Sequence, residues 1–101
     1  MDIRIEGYWR APYAPDLPMP TTDVEWPERQ RFLALLDLTE QVAHPHYTKG
    51  MSRCRVCGEM NGSVEYELDG WRWPEGFRHY LSDHGVRPTP DFESFVLERS
   101  R

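Results

Sequence analysis

The chain has 101 residues, a net charge of −5, four Trp and two Cys, and 39% of its residues are hydrophobic. This length indicates one domain, whose modest buried surface makes a bound metal ion a useful contribution to stability. Because neither half of the chain is basic, broad electrostatic binding to nucleic acid or to an anionic membrane is disfavoured.

The first residues lack the apolar segment of a secretory signal. No apolar run approaches the roughly 18 residues that a membrane span needs. We therefore expect a cytoplasmic protein without a membrane contact. In that reducing compartment, two close cysteines are metal ligands or a redox pair more often than a structural disulfide.

Residues 1–26 are predicted to form a proline-rich extended arm. Ile3 and Ile5 alternate with charged residues, which is compatible with a short edge strand. Four closely spaced prolines then exclude a helix: Pro12, Pro15, Pro18 and Pro20. Tyr8, Trp9 and Tyr13 either pack the arm onto the domain, which is the favoured interpretation, or form an aromatic surface for a partner.

An amphipathic helix is predicted over residues 27–43. Pro27 suits the first helical position, and Glu28 suits the positive end of the helix dipole. The apolar stripe recurs at helical spacing and consists of Phe32, Leu35, Leu36, Thr39, Val42 and Ala43. We expect this stripe, widened by Leu33 and Leu38 at its margins, to face the core; a dimerisation helix is the alternative.

His44 and His46, on either side of Pro45, end that helix in a predicted loop. The two imidazoles are an alternative pair of metal ligands, because histidine is a common ligand of transition metals. Since a His-x-His pair in a loop is common, the favoured interpretation is that both are surface residues.

The two cysteines, Cys54 and Cys57, precede Gly58 in the pattern of a zinc knuckle. This spacing lets two thiolates reach one metal ion from a tight turn, and the glycine supplies backbone freedom just past the second ligand. A redox dithiol and a pair of plain buried cysteines remain as alternatives, although no thioredoxin-type βαβ pattern precedes the pair.

A hairpin is predicted after the knuckle. Asn61-Gly62 and Asp69-Gly70 are dipeptides typical of turns in which both central residues have positive φ. Between the two turns, apolar and acidic residues alternate as in a half-buried strand: Val64, Glu65, Tyr66, Glu67 and Leu68. Residues 71–73 alternate in the same way and are expected to pair back across the second turn.

A short helix is predicted to begin near Pro74, with Glu75 as an acid of its first turn and Gly85 as its left-handed cap. His79 and His84 lie on this helix, about 140° apart on an ideal helical wheel. We expect the last turn to loosen so that His84 reaches the same metal ion as His79. Their separation of five residues falls in the usual range for zinc-binding histidines.

A last helix is predicted after residue 88. Thr89 suits the N-cap and Pro90 the first helical position. Phe92, Phe95 and Val96 follow at helical spacing and are expected to dock onto the domain.

Three segments of the chain resemble a family of small, uncharacterised bacterial zinc-finger-like proteins. The first segment is Gly50-Met51-Ser52-Arg53-Cys54-Arg55-Val56-Cys57-Gly58, and the second is Asn61-Gly62-Ser63-Val64-Glu65. The third covers residues 69–88 and contains four short motifs: Asp69-Gly70-Trp71, Trp73-Pro74-Glu75-Gly76, His79-Tyr80 and His84-Gly85-Val86-Arg87-Pro88. The resemblance covers residues 47–97 well. It implies one fold and one metal site and names no activity.

The sequence thus predicts a small α+β domain over residues 27–101. Its centre is a zinc finger over residues 52–86, built from a hairpin and a helix in a ββα or treble-clef-like order. Cys54, Cys57, His79 and His84 are the predicted ligands of one structural Zn²⁺. The amphipathic and C-terminal helices are expected to pack around this finger.

Three functions are compatible with this site. The favoured one is a non-enzymatic zinc-binding module with a protein partner, because four ligands leave no open position on the metal. A small metal-dependent hydrolase with one labile ligand is the second, with Arg55, Glu75 and Asp83 as its charged groups. The third is nucleic-acid binding, for which the candidate residues are Arg53, Arg55, Arg72 and Arg78.

Overall fold

The computed structural model describes residues 3–12, 14–48 and 51–99. One four-stranded sheet has the order β1-β4-β3-β2, with β1 at Arg4–Ile5, β2 at His44–Tyr47, β3 at Val64–Leu68 and β4 at Trp71–Pro74. The helices are α1 at Arg29–Val42, α2 at Phe77–Asp83 and α3 at Pro90–Arg99. The predicted α+β class is confirmed, but the layout differs from a simple ββα unit, because β1 and β2 flank the hairpin.

The β3–β4 hairpin lies at the centre of the sheet. Asp69 and Gly70 both have positive φ, at 50° and 86°, as predicted for the turn between the two strands. Trp71 and Trp73 point from β4 into the core and are 3% and 0% exposed. Tyr66 of β3 pairs with Trp73 and packs against the same core.

Asn61-Gly62 is not the two-residue turn that its sequence predicts. Gly62 has a φ of 113°, whereas Asn61 keeps a negative φ. The backbone of Ser52 exchanges hydrogen bonds with this dipeptide, at 3.0 Å to Asn61 N and 2.9 Å to Gly62 O. Asn61 therefore belongs to the returning arm of the cysteine segment, and its partner there decides its conformation.

The sequence predicted one of the two edge strands and missed the other. The predicted short strand around Ile3 and Ile5 is confirmed as β1, which runs parallel to β4. The loop predicted at His44 and His46 is wrong, because these residues form β2 and pair with β3. Pro45 is tolerated there because β2 is an edge strand, where a missing N–H costs no ladder bond.

Two helices begin later than predicted. α1 begins at Arg29, because Pro27 lies in a turn closed by a 3.2 Å bond from Arg29 N to Trp26 O. α2 begins at Phe77, because Pro74 completes β4 opposite Glu65.

The buried side of α1 follows most of the predicted stripe. Phe32, Leu36 and Thr39 are at most 5% exposed, and so is Leu33 at the margin of the stripe. Val42, which was expected to face the core, is 63% exposed and is the last residue of the helix, where the chain turns into β2. The prediction of a core-facing helix is confirmed, and the prediction for Val42 is wrong.

α3 begins at Pro90, as predicted, and carries Phe92 into the middle of a cluster of rings. The rings of Trp71, Trp73 and Phe77 lie within 5.1–5.8 Å of it. We call this cluster the aromatic core; it comprises Phe32, Trp71, Trp73, Phe77, Phe92 and Phe95. Edge-to-face contacts of this kind add to the free energy of burying each ring.

Residues 3–12 and 14–26 contact the domain at several points. Trp26 is 4% exposed, and its ring lies 5.1 Å from that of Phe32. The buried carboxylate of Glu6 accepts two hydrogen bonds from Thr89, one from its N–H and one from its hydroxyl, both at 2.8 Å. Burial raises the pKa of Glu6, although these two bonds lower it. Tyr13 lies outside the described residues.

Candidate metal centre

The segment around the two cysteines folds as a small hairpin, which we call the knuckle and which spans residues 52–61. Arg53 and Met60 form an antiparallel bridge at its base. Inside it, Cys54 N donates to Glu59 O at 2.8 Å, and Gly58 N donates to Cys54 O at 2.9 Å. Gly58 has a φ of 78°, the conformation expected for a glycine just past the second cysteine.

The predicted loosening of α2 at its last turn is confirmed. His79 is helical, whereas His84 is the C-cap residue with a φ of −119° and a ψ of 4°. Gly85 follows at a φ of 66°, and a Cβ on it would lie 2.9 Å from Asp23 Cα. The backbone of Asp23 also donates to His84 O at 2.9 Å. A glycine is required here, and it lets the chain turn so that His84 faces His79.

The structure brings Cys54, Cys57, His79 and His84 together. One possible ligand atom from each lies within 4.8 Å of every other. Cys57 Sγ is 3.3 Å from His79 Nε2, which is 3.2 Å from His84 Nε2. With Zn–S near 2.3 Å and Zn–N near 2.0–2.1 Å, the ligand atoms of a tetrahedral site lie roughly 3.3–3.8 Å apart. The distances from His79 Nε2 to Cys57 and to His84 are close to these separations, and the group of four side chains could hold one metal ion.

A carboxylate lies near the second ring nitrogen of His79. Asp83 Oδ2 lies 3.4 Å from His79 Nδ1, one helical turn further along α2. A carboxylate on Nδ1 favours the proton there and leaves the lone pair of Nε2 for a metal, an arrangement common among metal-binding histidines. It is Nε2 that faces Cys57 and His84.

The two thiols differ in exposure, since Cys54 is buried and Cys57 is exposed. A backbone hydrogen bond from Glu59 lowers the pKa of the Cys57 thiol, but residual burial and the neighbouring Cys54 sulfur outweigh it, so that the pKa is raised. Two adjacent thiolates repel each other, and a divalent cation between them removes that repulsion.

Tyr80 joins the knuckle to α2, a role that the sequence did not predict. Its hydroxyl accepts the N–H of Arg55 at 2.7 Å, and the residue is 4% exposed. Burial raises the pKa of Tyr80, although the Arg55 hydrogen bond lowers it. The available signal was its position beside His79 and one turn before His84.

His44 and His46 lie apart from this group. Their rings pack edge to face at 4.8 Å on β2, and His46 Nε2 is 3.4 Å from Glu67 Oε1. In the part of the chain that the structure describes, the four residues of the metal centre are the one cluster with metal-binding geometry.

Glu75, a charged residue of the hydrolase alternative, makes specific contacts inside the protein. Glu75, which was predicted to be an acid of the helix's first turn, lies before α2. Its Oε1 accepts the N–H groups of Ser63 at 2.6 Å and Val64 at 3.0 Å. It does so because β4 ends at Pro74, so that Glu75 faces the start of β3.

The four arginines that were candidates for nucleic-acid binding also have internal partners. Arg72 pairs with Glu67 at 2.6 Å, and Arg78 pairs with Asp37 at 2.7 Å. Arg53 donates to Gly58 O at 3.1 Å, and Arg55 donates to Arg10 O at 2.8 Å.

No protein-family model matches the chain, and neither a curated protein nor a solved structure is significantly similar to it. The resemblance to zinc-finger-like bacterial proteins therefore stays a prediction. None of the helices in the described ranges has the length and apolarity that crossing a membrane requires.

Proposed function

We propose that Cys54, Cys57, His79 and His84 bind one Zn²⁺ ion and that this ion is structural. The observation that carries the proposal is the mutual spacing of the four ligand atoms, with 3.3 Å from Cys57 Sγ to His79 Nε2 and 3.2 Å between the two Nε2 atoms. Two sulfur and two nitrogen donors in a tetrahedron are typical of zinc.

A structural role follows from the number of ligands and from the parts that they join. Four protein ligands fill a tetrahedral shell, whereas catalytic zinc keeps one position for water or substrate. The cysteines belong to the knuckle and the histidines to α2 and its cap, so that the ion links two segments that are distant in sequence. This order of knuckle, hairpin and helix is the basis for proposing a finger-like unit over residues 52–86.

We further propose that the module is non-enzymatic and binds a protein partner. The net charge of −5 and the internal pairing of Arg72 and Arg78 disfavour a nucleic-acid surface. Apolar side chains near the cysteines are unusually accessible: Met51 is 58%, Met60 47% and Val56 45% exposed. Large apolar side chains that are exposed on the surface favour protein contacts, because a partner can bury them.

A hydrolase is the weaker alternative. It needs an open position on the metal, which the four ligands do not provide unless one dissociates. The carboxylate of Glu75 is held by two backbone N–H groups, which disfavours a role as general base.

Substitution of Co²⁺ for the native metal tests the ligand set. Co²⁺ absorbs visible light only weakly in octahedral oxygen sites, but it absorbs strongly in tetrahedral sites and shows charge-transfer bands with thiolates. We expect the tetrahedral spectrum with two thiolate ligands, and loss of this spectrum in Cys57→Ser, which removes one ligand. A weak octahedral spectrum, or one unchanged in Cys57→Ser, would contradict the proposed ligands.

A further inference from the structure

A second feature of the molecule is a cavity of about 380 Å³ next to the knuckle. It lies between residues 7–9, the start of the knuckle and the first residues of β3. This volume is in the range of about 300–1,000 Å³ typical of sites for small molecules. Arg55 and Tyr80 line the cavity and also bond to each other beside the metal centre.

The walls of the cavity are mainly apolar and rich in aromatic residues. Tyr8, Trp9 and Tyr80 line one part, and Leu17 and Met51 line another. The rings of Trp9 and Tyr80 already make an edge-to-face contact at 5.8 Å. A further ring entering between such walls gains edge-to-face or stacked contacts in addition to its burial, and an aliphatic group of similar size gains the burial alone.

The charged residues at the cavity have partners within the protein. The guanidinium of Arg55 donates to Arg10 O at 2.8 Å, and the carboxylate of Glu65 lies 3.8 Å from Arg72 Nη1. Burial, and then the charge of Glu65, raise the pKa of Tyr8, so that its hydroxyl stays neutral. The guanidinium of Arg55 also donates to Arg53 O, and a charged ligand would lose its hydration on entering the mainly apolar cavity.

We propose that this cavity binds an uncharged aromatic group of one or two rings. The group belongs either to a small molecule or to an aromatic side chain of a protein partner, inserted as the anchor of an interface. The proposal rests on the cavity and its lining and does not depend on the identity of the metal.

The test uses N-acetyltryptophanamide, a neutral two-ring probe, added to the full-length, metal-loaded chain. Gly7, Gly62 and Gly76 line the cavity, and their backbone amides report on it in ¹H–¹⁵N correlation spectra. We expect saturable shifts at these three amides, with a dissociation constant on the order of 1 mM or below. Met51→Trp should fill the cavity and abolish the shifts, whereas Leu38→Trp, at an exposed site on α1, should leave them unchanged.

Two further probes examine the stated chemistry. N-acetyltryptophan, which carries a carboxylate, and N-acetylleucinamide, which is neutral but aliphatic, should each bind at least about fivefold more weakly. Equal binding of the first would overturn the requirement for a neutral ligand, and equal binding of the second would overturn the requirement for a ring. The absence of shifts at the three glycines, or shifts that persist in Met51→Trp, would overturn the proposed site.

A blocked Gly-Trp-Gly peptide distinguishes the two sources of the group. Tighter binding of the peptide than of the free amide supports a protein partner, and equal or weaker binding supports a small molecule. Metal content is measured on the same sample. A protein that carries one zinc ion and fails to bind the probes refutes the cavity proposal alone, whereas a metal-free protein that binds them refutes the zinc proposal alone.

Discussion

The aromatic core and the knuckle are stabilised in different ways. In the aromatic core, Phe32, Trp73, Phe77 and Phe92 are completely buried. In the knuckle and its approach, residues 51–60, Cys54 alone is buried. Burial of large rings contributes several kcal/mol to the core, whereas the knuckle has little apolar surface to bury and relies on backbone hydrogen bonds.

The difference indicates what each region needs in order to stay folded. The core can form from packing alone, because helix α3 packs Phe92 and Phe95 against the tryptophans of the hairpin. The knuckle meets α2 through the Tyr80 hydroxyl and the four side chains of the metal centre. A metal ion bound there would add the binding free energy that a small hydrophobic contact cannot supply. Substitutions in the two regions should therefore differ in their effects on metal content and on unfolding free energy.

The largest effect is expected at the metal ligands. Cys57→Ser and His79→Ala should lose the bound metal and several kcal/mol of unfolding free energy, because metal binding is coupled to folding. Cys57 is exposed, so its replacement by Ser removes little packing. Zinc content and thermal melts measure both losses.

His44→Ala is the matched control for these ligand variants. His44 lies on the exposed edge strand β2 and outside the metal centre. Its replacement should change the unfolding free energy by less than about 0.5 kcal/mol and leave the zinc content unchanged. If His44→Ala and His79→Ala melt alike, the ligand assignment is wrong.

In the aromatic core, Phe92→Ala should lower the unfolding free energy by about 3–5 kcal/mol, since it leaves a cavity among buried rings. The folded fraction should still bind one metal ion per chain, because Phe92 is not part of the metal centre. Phe92→Leu provides a milder variant if the alanine variant does not fold. Loss of zinc from folded Phe92→Leu would show that the two regions are not separable.

Glu40→Gln tests a polar contact at the edge of the aromatic core. Glu40 Oε2 accepts the indole N–H of Trp73 at 2.9 Å. Burial raises the pKa of Glu40 to about 7, and the charge of Asp37 adds to this, although the Trp73 bond lowers it. Between the ordinary glutamate pKa of about 4.3 and this value, the folded chain binds more protons than the unfolded chain, so stability falls as pH rises.

Glutamine keeps an acceptor for Trp73 and does not titrate. As the pH rises from 5 to 8, the unfolding free energy of the variant should therefore increase by on the order of 2 kcal/mol relative to that of the parent protein. Denaturant unfolding of both proteins at the two pH values measures this difference, in which the pH dependence of metal binding cancels. A constant difference between the two proteins would show that Glu40 does not titrate in this range.

Asp83→Asn should have the smallest effect and act on metal affinity alone. The Asp83 side chain is 58% exposed and 3.4 Å from His79 Nδ1. We therefore expect about a tenfold loss of metal affinity, which is the smallest effect usual for removing a carboxylate next to a metal-binding histidine. Competition with a chromophoric chelator measures it. Asp91→Asn, which replaces an acid in the first turn of α3, is the control and should have no effect.

The parts of the fold that depend on neighbouring residues were predicted well. The Asp69-Gly70 turn, the start of α3 at Pro90 and the cap at Gly85 each follow from local backbone preferences. The grouping of the four candidate ligands follows from their spacing together with the loosened end of α2.

The parts that depend on distant partners were not predicted. His44 and Pro45 become a strand because β3 offers them an unpaired edge, and Pro74 extends β4 because Glu65 lies opposite. Neither partner is visible in the local sequence. The role of Tyr80 was missed for the same reason, since its hydroxyl bonds to a residue 25 positions away.

Metal analysis of the purified parent protein, before and after treatment with a strong chelator, tests the central claim most directly. We expect one zinc ion per chain, its release by the chelator, and a fall in melting temperature that added Zn²⁺ reverses. A protein without near-stoichiometric zinc that folds and melts unchanged in the chelator would contradict the claim that a metal ion holds the knuckle to α2.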